Sequence, residues 1–239
     1  MGRKFEVRKA AMAKTMLKKS RLYSRYGKEI YMSAKQGGSN PDANLALKHL
    51  IDKAKKDQVP TDVIKRNVQK AEKGIGEDYT PIRYEGFGPN GVSFIVDTLT
   101  DNVNRTVSEV KNCFTKSNGN LGVSGCVEHG YKHLSYINVK GLDEEEVLET
   151  LLMADLDVLD LSEEEGVVEV EADGYELTKI QSTLEEAGAE IVDTEQGWYP
   201  IDSIKIDEET RKQFDKFMDM VNEVEDVQEV YHNVDLEVE

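Results

Sequence analysis

Along the first third of the chain, apolar positions recur every three to four residues, the period of helices that bury one face. Leu22, Tyr26, Ile30 and Ser33/Ala34 predict one helix, with Ser20 as its N-cap and Gly37-Gly38 as its stop. Asn40-Pro41-Asp42 opens a second, with Leu47, Leu50, Ile51 and Ala54 on one face. Pro60-Thr61-Asp62 opens a third, with Ile64, Val68 and Ala71 inward and Gly74 just past its end. Ahead of them, residues 2–19 form an arm carrying Arg3, Lys4, Arg8, Lys9, Lys14, Lys18 and Lys19 against one acid, Glu6. The arm can itself form a helix, but self-repulsion should leave it frayed until a polyanion neutralises it.

Past a linker at Gly74–Pro81 the period changes to alternation. Ile82–Glu85 and Val92–Val96 predict a β-hairpin, and Asn102–Asn104 start a helix with Val103, Val107, Val110 and Phe114 on its apolar face. From His133 to about Gly197 the order is strand, helix, strand, strand, helix, strand. The strands are expected at Leu134–Val139, Leu156–Leu161, Val167–Glu171 and from Ala189. Asp143 and Glu146 form a capping box for the first of these helices, and Leu177, Ile180, Leu184 and Ala187 line the second. This βαββαβ order is the ferredoxin-like pattern. A strand at Ile201–Ile206, a helix through Phe214, Phe217 and Val221, and a strand near Val227–Leu236 follow.

The expected fold class is therefore α+β, in three domains: an N-terminal three-helix domain (1–77), a discontinuous α/β middle domain (78–132 plus 198–239), and an inserted ferredoxin-like βαββαβ domain (133–197).

Charge changes this picture from architecture to function. The 239 residues carry a formal net charge of −17, which alone would argue against a nucleic-acid partner. Its distribution reverses that inference. Residues 1–77 hold 19 Lys+Arg against 8 Asp+Glu, net +11, while residues 78–239 hold 11 against 39, net −28. Such asymmetry suggests a basic binding module joined to an acidic body. Arg21, Arg25 and Lys28 lie at i, i+4 and i+7, so they share one face of a helix and extend the arm's cationic surface. Cations in that arrangement neutralise phosphates and release counterions. Tyr23, Tyr26 and Tyr31 stand where they could stack on bases or fill the core. The competing interpretation is that the arm screens the protein's own acidic surface.

Other candidate chemistry fails on context. Gly86-Phe87-Gly88-Pro89-Asn90-Gly91 spells G-x-G-x-x-G, but a β run rather than a helix follows it, so no pyrophosphate site is expected. His129, His133 and Cys126 have metal-ligand spacing only on a helix, and their neighbours predict strand or turn. Cys113 beside Phe114 is expected to pack, not to react. The runs Glu144–Glu146 and Glu163–Glu165 fit a solvated face that could meet a basic protein partner. No catalytic set, cofactor or metal is expected, and the chain is expected not to be an enzyme. A charged N-terminus without an apolar run, two cysteines, and no run of 18 apolar residues point to a cytoplasmic protein without a membrane span.

Several segments resemble one family in order and spacing. They include Arg8-Lys9-Ala10-Ala11, Ala34-Lys35-Gln36-Gly37-Gly38 with Asn40-Pro41-Asp42-Ala43-Asn44, and Ile51-Asp52-Lys53-Ala54. Further on come Tyr84–Gly91, Asp101-Asn102-Val103-Asn104-Arg105-Thr106 and Gly119-Asn120-Leu121-Gly122. Together they resemble the YebC/PmpR family. Gly2-Arg3-Lys4-Phe5-Glu6 departs from that family's usual Gly-His-Ser-Lys-Trp start and resembles its YeeN-like branch. The resemblance implies a three-domain cytoplasmic protein, a probable transcriptional regulator that binds DNA. Some relatives act on translation instead, which implies ribosomal RNA or the ribosome as the alternative partner.

Overall fold

The computed structural model describes residues 3–236, the side chains of residues 3–15 and 17 lying outside that description. The chain divides into two compact units. One comprises Met1–Ile82, Thr98–Thr106 and Val224–Gln228; the other comprises Arg83–Asp97, Val107–Glu223 and Glu229–Glu239.

The first unit is built on three helices: α1 (Arg3–Gly37), α2 (Leu45–Lys56) and α3 (Thr61–Glu72). Tyr26, Ile30 and Ala34 of α1 meet Leu47 and Ala54 of α2, Val59 of the connecting turn and Ile64 of α3 in one buried cluster. These are the apolar faces that the 3.6-residue period defines. Two boundaries differ from the sequence expectation. Ser20 is not an N-cap but lies in the middle of α1, which runs unbroken for 35 residues. The residues before it are mostly Ala, Lys, Met, Leu and Arg, strong helix formers that outweigh one serine's capping preference. The second helix is capped by Asn44, whose side chain accepts from Leu47 N at 3.1 Å. Asn40 instead closes a local turn by accepting from Asp42 N.

The Asn44 cap explains the adjoining Gly37-Gly38. Its Nδ2 donates to Ser33 O at 3.0 Å and to Gly38 O at 2.9 Å, tying the end of α1 to the start of α2. A Cβ on Gly37 would come within 2.6 Å of that Nδ2. Glycine at 37 therefore makes room for the amide.

The remaining elements are β1 (Thr80–Phe87), β2 (Ser93–Thr100), α4 (Val103–Lys116), β3 (Asn120–Leu121), β4 (Tyr131–Lys140), α5 (Glu144–Met153), β5 (Asp160–Glu164), β6 (Val167–Asp173), α6 (Leu177–Glu186), β7 (Glu190–Pro200), α7 (Glu208–Val221) and β8 (Val227–His232). They make two four-stranded sheets, ordered β3-β1-β2-β8 and β5-β6-β4-β7. The second sheet is antiparallel throughout, and its order, with α5 and α6 packed beneath it, is that of the ferredoxin-like fold. The whole is α+β, as the element order predicts.

Within the second unit, Phe94, Phe114 and Phe217 pack ring to ring, the Phe94 and Phe217 centroids 4.1 Å apart. Glu85 is 2% exposed. Its carboxylate accepts from the backbone amides of Gly125, Val127 and Glu128 at 2.6–3.0 Å, fastening that loop to β1. A buried carboxylate is tolerated because these donors replace its lost water. The capping box closes α5 as expected, with Asp143 accepting from Glu146 N at 2.9 Å and Glu146 accepting from Asp143 N at 3.0 Å.

Two strand expectations are corrected. The strand anticipated at Leu156–Leu161 begins only at Asp160. Leu156 and Val158 are apolar because they fill the ferredoxin-like core from the preceding loop, not because they pair in a sheet. Ile201–Ile206 forms no strand beyond a single bridge from Ile204 to Val234, and Ile201 is exposed. Three isoleucines without a buried face to share do not hold a strand register.

Replacing Asn44 by Ala should cost the helical unit about 0.5–2 kcal/mol, the usual range for a lost N-cap. The check is urea unfolding followed by far-ultraviolet circular dichroism; an unchanged midpoint would contradict the cap's role.

Candidate nucleic-acid interface

The cationic residues expected on α1 divide into three groups. Arg3, Lys4, Arg8, Lys9 and Lys14 lie outside the described side chains. Lys18 and Lys19 are exposed. Arg21 and Arg25 are half-buried, and Lys28 is buried. The expected phosphate-binding stripe of Arg21, Arg25 and Lys28 is therefore not open to a ligand along its length. Arg25 Nη1 donates to Gln228 O at 2.7 Å. Lys28 Nζ donates to Asp226 at 2.9 Å and to the carbonyls of Leu99 and Glu225 at 3.3 Å. Helical spacing put these cations on one face; packing turned that face toward residues 98–106 and 224–228 of the same unit. Lys28 is an internal anchor.

Asp226, 1% exposed, is the centre of this arrangement. Besides Lys28 it accepts from Arg105 Nη2 at 2.6 Å, Thr106 Oγ1 at 2.8 Å and Thr100 Oγ1 at 3.1 Å. Burial pushes its carboxyl upward, but the hydrogen bonds from Arg105, Lys28 and Thr106 outweigh it and hold the group at about 2. Arg105 also pairs with Asp101 at 2.6 Å, and its two carboxylate partners push its guanidinium further up. The Asp101–Thr106 segment, conspicuous in the sequence, thus supplies ligands for a buried carboxylate.

The open cations lie elsewhere. Lys65, Arg66 and Lys70 are exposed on α3, with Lys73 just beyond it. They lay in the sequence as the polar face left over from Ile64, Val68 and Ala71, and that complementary face was the available signal. A cleft of about 630 Å³ opens between α3 and α1. Arg66, Asn67 and Lys70 form one wall; Ser20, Tyr23 and Ser24 form the other. Gly27 leaves room for the Asn67 amide, since a Cβ there would meet Asn67 Nδ2 at 2.9 Å. Of the three tyrosines, Tyr26 is in the core with its hydroxyl on Asp57. Tyr31 is 3% exposed and stands edge-on to Tyr79 at 6.0 Å. Tyr23 is half-buried and borders the cleft.

The remaining candidate motifs are accounted for by geometry. Gly86–Gly91 is a strand-to-strand connection, with Asn90 at φ +56° in a single 3-10 turn before β2. His133 lies in β4 with its ring 4.9 Å from Trp198 and 4.4 Å from Tyr175, while His129 is in a 3-10 turn. Cys113 is buried beside Phe114, and burial pushes its thiol up. Among the described residues, no group of three His, Cys, Asp or Glu side chains could hold a metal ion, and no helix is long and apolar enough to cross a membrane.

A cationic helical unit with a cleft, carried on a chain that also holds a ferredoxin-like sheet, defines a particular class of α+β protein. Residues 3–74 match the TACO1/YebC protein N-terminal domain, and residues 79–234 match the TACO1/YebC second and third domain. The chain belongs to the TACO1/YebC family. It is 51% identical over 235 residues to a probable transcriptional regulatory protein of Alteromonas mediterranea, covering 98% of each chain. To one of Vibrio cholerae it is 50% identical over 239 residues, covering 99% of this chain and all of the relative. To one of Pseudoalteromonas atlantica it is 52% identical over 241 residues, covering 100% of this chain and 99% of the relative. The crystal structure of the conserved hypothetical protein Aq1575 from Aquifex aeolicus is similar with a TM-score of 0.70 and 36% identity, over 92% of this chain and 91% of that one.

Truncating Asp226 to Ala would leave Lys28 buried without its counter-charge, which costs about 3–5 kcal/mol. The pH dependence has a definite sign. Because folding depresses this carboxyl to about 2, its contribution is complete above the unfolded value of about 3.9 and disappears as pH falls through the folded value. Asp226→Asn should therefore lose stability at neutral pH and show a flatter acid limb between about pH 4 and pH 2. Denaturation midpoints across that range check both.

Proposed function

We propose that this protein is a nucleic-acid-binding regulator, acting in the cytoplasm as a DNA-binding transcriptional regulatory protein, and that its helical unit holds the phosphates. The observation that carries this reading is the set of exposed cations on that unit. Lys18 and Lys19 on α1, and Lys65, Arg66 and Lys70 on α3, form no ion pair among the described residues. Unpaired exposed cations on a segment of net +11 retain the field that attracts a polyanion, and releasing the polyanion's counterions supplies the affinity. The regulatory assignment rests on relatives at about 50% identity named as probable transcriptional regulatory proteins. Lys28 is left out of this surface because Asp226 occupies it.

A second reading, attachment to ribosomal RNA as a translation factor, is favoured by one feature. The cleft joins an aromatic ring to cations, a combination suited to looped RNA as well as to DNA. The carboxylate-rich remainder of the chain, net −28, repels phosphate and suits a basic protein partner.

Reversing Lys18, Lys19, Arg66 and Lys70 to Glu should weaken binding to every nucleic-acid sequence by at least about tenfold and make log Kd less dependent on log salt by about one per lost phosphate contact. Electrophoretic mobility shifts across a salt series measure both, and unchanged affinity would remove these residues from the interface. Sedimentation with ribosomes at low salt, released at high salt, would favour the translational reading over promoter-selective footprints.

A further inference from the structure

The cleft between α1 and α3 differs from a surface that merely attracts phosphate. Its volume, about 630 Å³, is that of a small-ligand cleft, open on one side. Arg66 and Lys70, four residues apart, project from successive turns on the same face of α3. Between them Asn67 is held by its Nδ2, which donates to Val63 O at 2.8 Å. Its Oδ1 takes no hydrogen bond among the described residues, so an oriented acceptor is left over. Across the cleft stands Tyr23, flanked by the small residues Ser20 and Ser24. The same lining includes Tyr31 and Tyr79, Lys28, whose charge is already paired with Asp226, and the acids Glu77 and Glu225. A groove built to track a backbone is cationic along its length. Here the acids confine phosphate to the part of the cleft that carries Arg66 and Lys70.

A cationic pair for phosphate, a facing aromatic ring and a fixed polar acceptor in a recess match the parts of a single nucleotide. A base inside a duplex is stacked and paired and cannot enter a pocket; an unstacked base can. We propose that this cleft receives one unstacked nucleotide of a nucleic-acid strand, its phosphate on Arg66 and Lys70 and its base against Tyr23. The inference rests on the nucleic-acid reading above and adds that the helical unit distinguishes single-stranded from duplex segments.

The test uses the full chain and fluorescence anisotropy with one labelled sequence as single-stranded DNA, single-stranded RNA and duplex DNA. Both single strands should bind more tightly than the duplex, and the tighter of them identifies the sugar the cleft prefers. Tyr23→Leu should lower the ratio of single-strand to duplex affinity at least about fivefold, the lower end of what a lost base–aromatic stack costs. Tyr23→Phe should restore the ratio. Because Tyr23 also packs on the helical core, a photocrosslink from 5-iodouracil in the strand provides an independent measurement on the unmodified protein and should map to Tyr23 or α3. Duplex binding as tight as single-strand binding, an unchanged ratio in a folded Tyr23→Leu, crosslinks confined to other elements, or 5′-AMP displacing the strand at equimolar concentration would each overturn the proposal. If salt-dependent binding still vanished in the four-Glu variant, the interface itself would stand; if neither strand nor duplex bound the unmodified protein, both would fall.

Discussion

One buried carboxylate organises the helical unit. Asp226 gathers Lys28 from α1, Arg105 and Thr106 from the start of α4, and Thr100 from the end of β2. They come from three separate stretches of the chain, residue 28, residues 100–106 and residue 226; Lys28, Thr100, Thr106 and Asp226 are buried together, and Arg105 reaches in from the surface. Two cations and two hydroxyls on one carboxylate compensate the desolvation of the buried Asp226 and Lys28. The arrangement also specifies geometry, because an ion pair with additional directed hydrogen bonds tolerates few alternatives. It fixes the rotation of α1 about its axis within that unit. With Arg25 and Lys28 turned toward residues 98–106 and 224–228, Ser20, Tyr23 and Ser24 are left to face α3.

That rotation decides which cations are available. A chain rich in Lys and Arg over 77 residues could have spent them all on internal pairs. Instead, among the described residues, Lys28 is a buried anchor and Arg25 a half-buried one, while exposed cations are spread over α1, α2 and α3, those of α1 and α3 including Lys18, Lys19, Arg66 and Lys70. The acidic remainder is partly explained by local structure. Glu144, Glu145 and Glu146 occupy the first turn of α5, where carboxylates oppose the helix dipole and complete the capping box. Their chemistry is structural at the helix end and repulsive toward phosphate at the surface.

Much of the fold was legible because its signals are local. The Asp143–Glu146 box needs only three residues' separation, and the apolar faces of α2, α3, α6 and α7 follow from a period within one helix. Signals failed where a residue's partner was distant. Leu156 and Val158 have the composition of a strand, yet they serve the core from a loop. Ser20 has the identity of a cap, yet its neighbours sustain the helix on both sides. The candidate site was legible to a similar extent. Its location in the basic helical segment followed from charge, whereas the contribution of Arg66, Asn67 and Lys70 did not, because residues on α3 become one wall of a cleft only once α1 lies opposite.

The amino-acid order by itself determined the helices and most strands, the ferredoxin-like succession, and the segregation of positive from negative charge, since each depends on near neighbours or on sums. Only the tertiary structure decided that Lys28 belongs to Asp226, that Tyr26 and Tyr31 are packed while Tyr23 borders open space, and that α3 supplies exposed cations beside it. The periodicity of a helix states which residues share a face. Which way that face turns is settled by what packs against it, and for α1 part of that partner lies almost 200 residues along the chain.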